Sequence, residues 1–433
     1  MGNHLFKAGL EYRDNKLDSV FDEQWLFGQG SFGYILQVLA GQGTVRNRIP
    51  SLFAQDSWRI NDRLQINAGL RWSGEFLIAS NGKIAQRISD EFQPRLGFIY
   101  QPGKIGSSKF FGSYGRFYQE LSTLLMTWYQ MEDFRWQWIL YDHDPRLDPT
   151  GGEITSEWLG GIMPEITGLK GQNYDEFTLG YESVIGENYK FGILGIYRDL
   201  RDGIEDVMEG FGNPGRSPLE NYPKMKREYY GLELTFAKSG GKKFDFGASY
   251  TLSRSYGNYP GLFAQDLNDN RPNVSGQFDS PEEMIQATWL LPNDRPHVFK
   301  FFGSYRLGFG LSVGVFFLWQ TGTPLSEMGT QMMIPGWIKF VTQRGTAGRT
   351  PSVADLNLRI AYEIKNIFGS RFAPRILLDV FHIGSNRTPV THDQRHYFGV
   401  DDFGSQTDPN PLYLHPTGYF PPMSARLGME INF

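Results

Sequence analysis

The sequence predicts an all-β protein, an antiparallel transmembrane β-barrel of about fourteen strands with short periplasmic turns and long extracellular loops. Three observations point there: the last nine residues, the recurrence of their pattern along the chain, and the spacing of the connections. In the terminal segment, Ala425, Leu427, Met429, Ile431 and Phe433 alternate with Arg426, Gly428, Glu430 and Asn432. That is a strand with one apolar and one polar face, ending on an aromatic residue, as a barrel-closing strand and assembly signal would.

The alternation recurs upstream. Leu64, Ile66, Ala68, Leu70 and Trp72 oppose Gln65, Asn67, Gly69 and Arg71. Phe299, Phe301, Gly303, Tyr305 and Leu307 oppose Lys300, Phe302, Ser304 and Arg306, and Leu356, Leu358, Ile360 and Tyr362 oppose Asn357, Arg359, Ala361 and Glu363. Segments 230–236, 244–252 and 311–319 read alike, whereas 189–200 carries Leu194 and Ile196 on its polar side. Short connections are expected at 61–63, 102–107, 186–188, 239–241, 308–310 and 366–373, and long ones at 80–91, 119–173, 201–225, 255–296, 321–352 and 383–423. Residues 3–13 form the first strand, and 14–50 an external excursion with an extra hairpin at 28–38. Every long connection then falls at one end, which a sandwich or propeller does not require.

Composition agrees. Aromatics make up 15% of the residues and cysteine is absent, while mean hydropathy is negative. No apolar run of about 18 residues exists, which excludes membrane-spanning helices but not strands, where only every second residue meets lipid. Without cysteine there are no disulfides, thiolate metal sites or thiol chemistry. The net charge of −5 gives no basic patch, so no nucleic-acid partner is expected. A cation facing lipid at the bilayer midplane costs about 2–4 kcal/mol, and Arg71, Lys300, Arg306, Arg359 and Arg426 all fall on the polar side, expected to face the lumen.

The segment Phe53-Ala54-Gln55-Asp56-Ser57-Trp58 followed by Leu64 to Trp72 resembles a hairpin of TonB-dependent outer-membrane receptors. Phe92-Gln93-Pro94-Arg95-Leu96-Gly97, then Tyr114-Gly115-Arg116-Phe117, is similar to the hairpin that follows it there. Tyr230 to Leu234, Ala248 to Ser255, Asp294-Arg295-Pro296-His297 and Leu378 to Asn386 resemble the Oar-like branch. The resemblance spans nearly all of residues 1–433, taken as one barrel region. It implies a Gram-negative outer-membrane location, the lipid bilayer and the barrel-assembly machinery as partners, an external ligand of unknown identity, and a TonB complex acting through a plug. The family barrel has 22 strands, with a plug and signal peptide before it. The expectation is therefore a C-terminal portion lacking plug, signal and roughly eight strands, working in energised uptake. The alternative is a passive channel or adhesin-like barrel that closes on itself.

No enzyme is expected, since no nucleophile–base pair or phosphate loop can be argued; Gly28 to Gly33 lacks the strand–helix context. Asp266 to Asn270 resembles a calcium loop but has Gln277 where the bidentate Glu belongs. His392 with His396, and Asp142-His143-Asp144, read as ordinary loop residues, so no metal or cofactor is expected. The candidate ligand contacts are the aromatics of the longest loop: Trp128, Tyr129, Trp136 and Trp138, with Phe134 and Tyr141 beside them. The competing reading is that these rings pack the loop against its neighbours.

Overall fold

The computed structural model describes residues 3–28, 33–159, 162–206, 219–263, 266, 278, 283–331, 338–364, 373–384, 387–401 and 404–432. Its frame is a wall of fourteen strands: β1 His4–Gly28, β2 Tyr34–Arg59, β3 Leu64–Ile78, β4 Ile84–Tyr100, β5 Ser108–Tyr118, β6 Asn173–Ile185, β7 Tyr189–Arg201, β8 Arg227–Lys238, β9 Phe244–Gly257, β10 His297–Arg306, β11 Leu311–Gln320, β12 Val353–Glu363, β13 Ala373–Ile383 and β14 Ser424–Asn432. Each pairs antiparallel with its neighbours in sequence. Among the described residues no pairing joins β14 to β1.

Register carries one face through the whole wall. From Gly69 it passes to Arg95, Gly115, Glu176, Arg198, Tyr229 and Ser255. Ser249, on the same face of β9, opposes Lys300; Arg306 opposes Ser312, which opposes Ala361; Arg359 opposes Asp379, which opposes Arg426. The five basic residues predicted to share a face therefore do share it. The opposite face carries Phe244, Tyr305, Val313, Ile360, Leu378 and Leu427 in one cross-strand row. Of the residues expected to form a closing strand, Leu427, Met429 and Ile431 are exposed on that apolar face, with Ala425 on the same side. Phe433 lies outside the described residues.

The polar face is not uniformly polar. Phe53, Phe111 and Phe302 lie on it, each opposite a glycine on the neighbouring strand: Phe53 with Gly9, Phe111 with Gly180, and Phe302 with Gly247. A Cβ on these glycines would sit 2.4–2.6 Å from the ring atoms, so the absence of a side chain is what lets each ring lie flat on the neighbouring backbone.

Two predicted connections are corrected. Residues 14–28 and 34–50 are strand, not loop: β1 and β2 pair without a break from His4 with Trp58 to Gly28 with Tyr34. The 25 residues of β1 extend roughly 85 Å, far beyond strands of ten or eleven residues such as β10 and β12. Residues 80–91 likewise belong mostly to β4, which turns back from β3 at 79–83. Polar residues in both stretches suggest solvent loops, but a strand hydrogen-bonded on both sides needs no apolar face to persist above a membrane. So connections do not alternate short and long throughout. The short ones at 61–63, 102–107, 186–188, 239–241 and 308–310 fall where predicted within a residue or two, and the long ones predicted from 119, 201, 255, 321 and 383 begin at 119, 202, 258, 321 and 384; the turn at 366–373 lies almost wholly outside the described residues.

Buried side chains concentrate where the long connections fold back over the polar face. Leu39, Val45, Leu77 and Ile88 of β2–β4 meet Leu121, Leu125, Met126 and Met131. The last group brackets α1, Thr123–Tyr129, capped by the Ser122 hydroxyl accepting from the Leu124 N–H at 3.2 Å. The core thus sits between wall and canopy, because the wall offers no second sheet to pack against.

Candidate functional site

The polar face is lined by ion pairs between strands. Arg71 donates to Glu11 at 2.6 Å across β1 and β3, and Arg306 donates to Asp245 and to the Gly241 carbonyl at 3.1 Å. Asp379 on β13 takes Arg359 from β12 at 2.5 and 3.0 Å and Arg426 from β14 at 2.8 Å. One carboxylate thus ties the last three strands together. Lys300 forms no ion pair among the described residues and stays exposed on this face. A cavity of about 580 Å³ opens on the same surface near β2–β6, with Gln55, Asn67, Arg71, Arg95, Phe117 and Glu176 in its lining. Arg95 lies over the Phe117 ring, 4.9 Å from its centroid, which holds the guanidinium away from the wall.

Above the wall, β1 and β2 continue as a blade. The hairpin of Asp133–Tyr141 and Glu153–Leu159 adds to it by pairing with Tyr34 to Gln42 of β2. This places the predicted loop aromatics. Phe134 is buried against Phe21, with ring centroids 6.1 Å apart, so it belongs to the canopy core. Trp136 and Trp138 stand on the same side of the hairpin, edge to face at 6.0 Å, and both are half-buried. Tyr141 is buried. The side chains of Trp128 and Tyr129, in α1, lie outside the described residues. Packing therefore claims Phe134, Tyr141 and part of Trp136, which lies against the same core, while Trp136 and Trp138 each keep some surface exposed.

The remaining long connections lock to one another. Met328–Gln331 pairs parallel with Arg395–Val400 and antiparallel with Ile338–Phe340, joining the β11–β12 and β13–β14 connections in one small sheet. The Lys339 ammonium donates to the Asp401 carbonyl at 2.6 Å, and Arg349 donates to Asp294 at 2.5 Å. His396 lies between Tyr397 and Tyr413, each centroid 4.0 Å away, with Glu327 at 2.6 Å on its Nδ1. It sits on a strand and is not paired with His392 in a ligand set. His143 meets Asp142 at 2.5 Å and the Asp148 carbonyl at 2.9 Å, and those acceptors hold its pKa above the ordinary histidine value. Of the calcium-like segment only Asp266 is described, and it is ion-paired with Arg344.

Gly322 shows how tightly these connections cross. A Cβ there would sit 1.6 Å from the Thr350 carbonyl oxygen, which is backbone and cannot swing aside. Gly322→Ala is expected to cost about 1–3 kcal/mol and to make the 321–352 connection the earliest site of limited proteolysis in folded membranes. An unchanged digestion pattern would show that the crossing is not under steric control.

Sequence reasoning missed one arrangement. Glu75 and Glu91, from β3 and β4, are both buried beneath the canopy, with 1% and 2% of their surface exposed. The only local hint is that Glu75 shares the face of Arg71 and Ser73; the burial comes from residues 119–131 folding over it, which no local pattern signals.

Residues 1–380 match the family model described as TonB dependent receptor-like, β-barrel. The chain is 26% identical to the TonB-dependent transporter Oar of Myxococcus xanthus over an alignment that covers all of this chain and 49% of that protein. The chain thus spans about half the length of the curated relative it matches. Among solved structures, the siderophore receptor PiuA from Acinetobacter baumannii is similar with a TM-score of 0.56 at 13% identity, covering 99% of this chain and 53% of that one. The FrpB iron transporter from Neisseria meningitidis (F3-3 variant) gives a TM-score of 0.52 at 13% identity, covering 96% and 55%. At such identities the likeness is one of fold.

Proposed function

We propose, because this chain belongs to the TonB-dependent receptor-like β-barrel family, that it forms barrel wall and outer loops of an outer-membrane transporter for energised uptake of an external ligand. The observation that carries this reading is the two-faced wall. A continuous apolar face suits lipid, and a face lined by Arg71, Lys300, Arg306, Arg359 and Arg426 suits a wet lumen. No bond is made or broken in this function. The work is selective binding at the mouth, followed by passage along the polar face, driven through a plug by the TonB complex. The wall would be placed by the barrel-assembly machinery, with the segment from Ala425 to Phe433 as its recognition end, and 1–433 acts as one barrel region.

On this reading Trp136 and Trp138 make first contact with ligand. Half-buried indoles hold an apolar or sugar-like surface by stacking at little cost in conformational entropy. The complete protein in outer membranes, incubated with culture supernatant and washed, is expected to retain a molecule identifiable by mass spectrometry. The double substitution Trp136→Ala and Trp138→Ala should weaken that retention about tenfold. Equal retention would sink the aromatic assignment. Uptake of the same molecule should stop when a protonophore collapses the inner-membrane gradient; uptake that continues would instead favour a passive channel.

A further inference from the structure

The buried carboxylates Glu75 and Glu91 lie where the canopy meets the wall. Glu91 opposes Ser73 across β3 and β4, and a register shift after Ser73 makes Glu75 its diagonal neighbour on the polar face. Two ionised carboxyls side by side in a buried site repel each other, which favours one of them keeping its proton. Glu75 also accepts from the Asn47 amide of β2 and, with both oxygens at 3.1 and 3.2 Å, from the Leu121 N–H. Leu121 begins the canopy segment whose Leu125, Met126 and Met131 fill the core over Leu77 and Ile88. One Glu91 oxygen has no partner at all.

The surrounding charges do not neutralise the pair. Glu120 on the canopy and Asp90 on β4 add negative potential. The guanidinium of Arg13 on β1 is engaged by Glu120 and lies 3.4 Å from Glu11, Arg71 of β3 is held by Glu11, and the Asn15 amide reaches Glu120 at 3.4 Å. Asp90 accepts from the Gly171 N–H at 3.1 Å, and its carbonyl takes the Tyr118 hydroxyl of β5 at 3.2 Å.

We propose that Glu75 and Glu91 form a proton-operated latch that holds residues 119–131 down over the polar face. While the pair shares a proton it is a compact neutral-plus-anionic unit that accepts the Leu121 N–H. Loss of that proton puts two charges together in a dry site, where repulsion and desolvation outweigh one backbone hydrogen bond, and the segment lifts. Burial, and for Glu91 the adjacent Glu75 charge, raise both carboxyl pKa values above the ordinary carboxylate range. A raised acid binds its proton more strongly docked than released. Docking is therefore firmest below the ordinary carboxylate pKa and weakens as pH rises towards the raised values. The latch would close the mouth in acid surroundings and free it in alkaline ones, whichever ligand the protein takes.

The test uses the membrane-embedded protein and the absence of cysteine from this chain. Thr127 is buried under the canopy and Asn81 is exposed on the β3–β4 turn. Maleimide labelling of Thr127→Cys is compared with that of Asn81→Cys, which corrects for thiol ionisation. Between pH 6 and pH 9 the ratio of the two rates is expected to rise about tenfold or more, since each unit of pKa displacement corresponds to a factor of ten. Glu91→Gln, which keeps the shape and a permanent donor, should leave Thr127→Cys protected at both pH values, and Glu75→Gln should flatten the response in the same way. A ratio independent of pH in the parent, or a pH response in the glutamine variants as large as the parent's, would overturn the latch. Hydrogen exchange at the Leu121 amide, corrected for intrinsic rate, should speed up over the same pH range in the protein without the added cysteine, and an exchange rate that stays flat would overturn the latch equally.

Discussion

Leu427→Arg is expected to remove most of the folded, heat-modifiable protein from outer membranes, whereas Gly428→Arg, one residue along, is expected to leave it. Leu427 lies in the apolar row that runs through Leu378, Ile360, Val313, Tyr305 and Phe244. It is the fourth of the nine residues of β14, away from either end of that strand. An arginine there has no water within reach and costs about 2–4 kcal/mol. Gly428 points to the other face, where a Cβ meets nothing nearer than 3.9 Å, from Leu377. An arginine at that site joins a surface already occupied by Arg359, Arg426 and Asp379. Heat-modifiable migration of the two variants in outer-membrane preparations measures the difference. Equal loss, or equal survival, would mean that the apolar row does not face lipid.

The contrast between those two neighbours is also a measure of what the sequence makes legible. Period-two alternation is local, so the face of Arg71, Lys300, Arg306, Arg359 and Arg426 can be read directly, and register then joins them into one surface. What alternation does not encode is where a strand stops. Residues 14–50 and 80–91 lose their apolar face as the wall rises above the membrane, yet β1, β2 and β4 continue because their backbone groups stay paired. Polarity there marks the end of the lipid and not the end of the strand. The loop aromatics are half legible. Composition singles out the cluster, but Phe134 packs on Phe21 while Trp136 and Trp138 stay partly open, and only the addition of their hairpin to β2 decides which is which. The Glu75–Glu91 pair is not legible at all, since its burial depends on a segment more than twenty-five residues away folding back over two strands.

The same non-local logic governs the canopy's other side, where the largest loss of stability is expected from Arg344→Ala. Arg344 and Asp266 form an ion pair at 2.6 Å with side-chain exposures of 1% and 2%. Arg344 also donates to the Asn258 carbonyl at 2.8 Å and lies over Phe340, 5.2 Å from its centroid. Burial alone pulls the arginine's pKa down, and the Asp266 carboxylate opposes that pull. The pair links the β9–β10 connection to the β11–β12 connection in a site closed to solvent. Removing the guanidinium leaves a bare carboxylate there, for which about 3–5 kcal/mol is expected. Asp266→Asn removes the charge but keeps an acceptor, and should cost less. The double change of Arg344→Met with Asp266→Leu should recover most of the loss, because two apolar side chains of similar volume need no partners. Urea titration monitored by protease cleavage within the two connections reads all three. If Arg344→Ala and the double variant open at the same denaturant concentration, the stranded charge is not the cause and the pair acts only by packing.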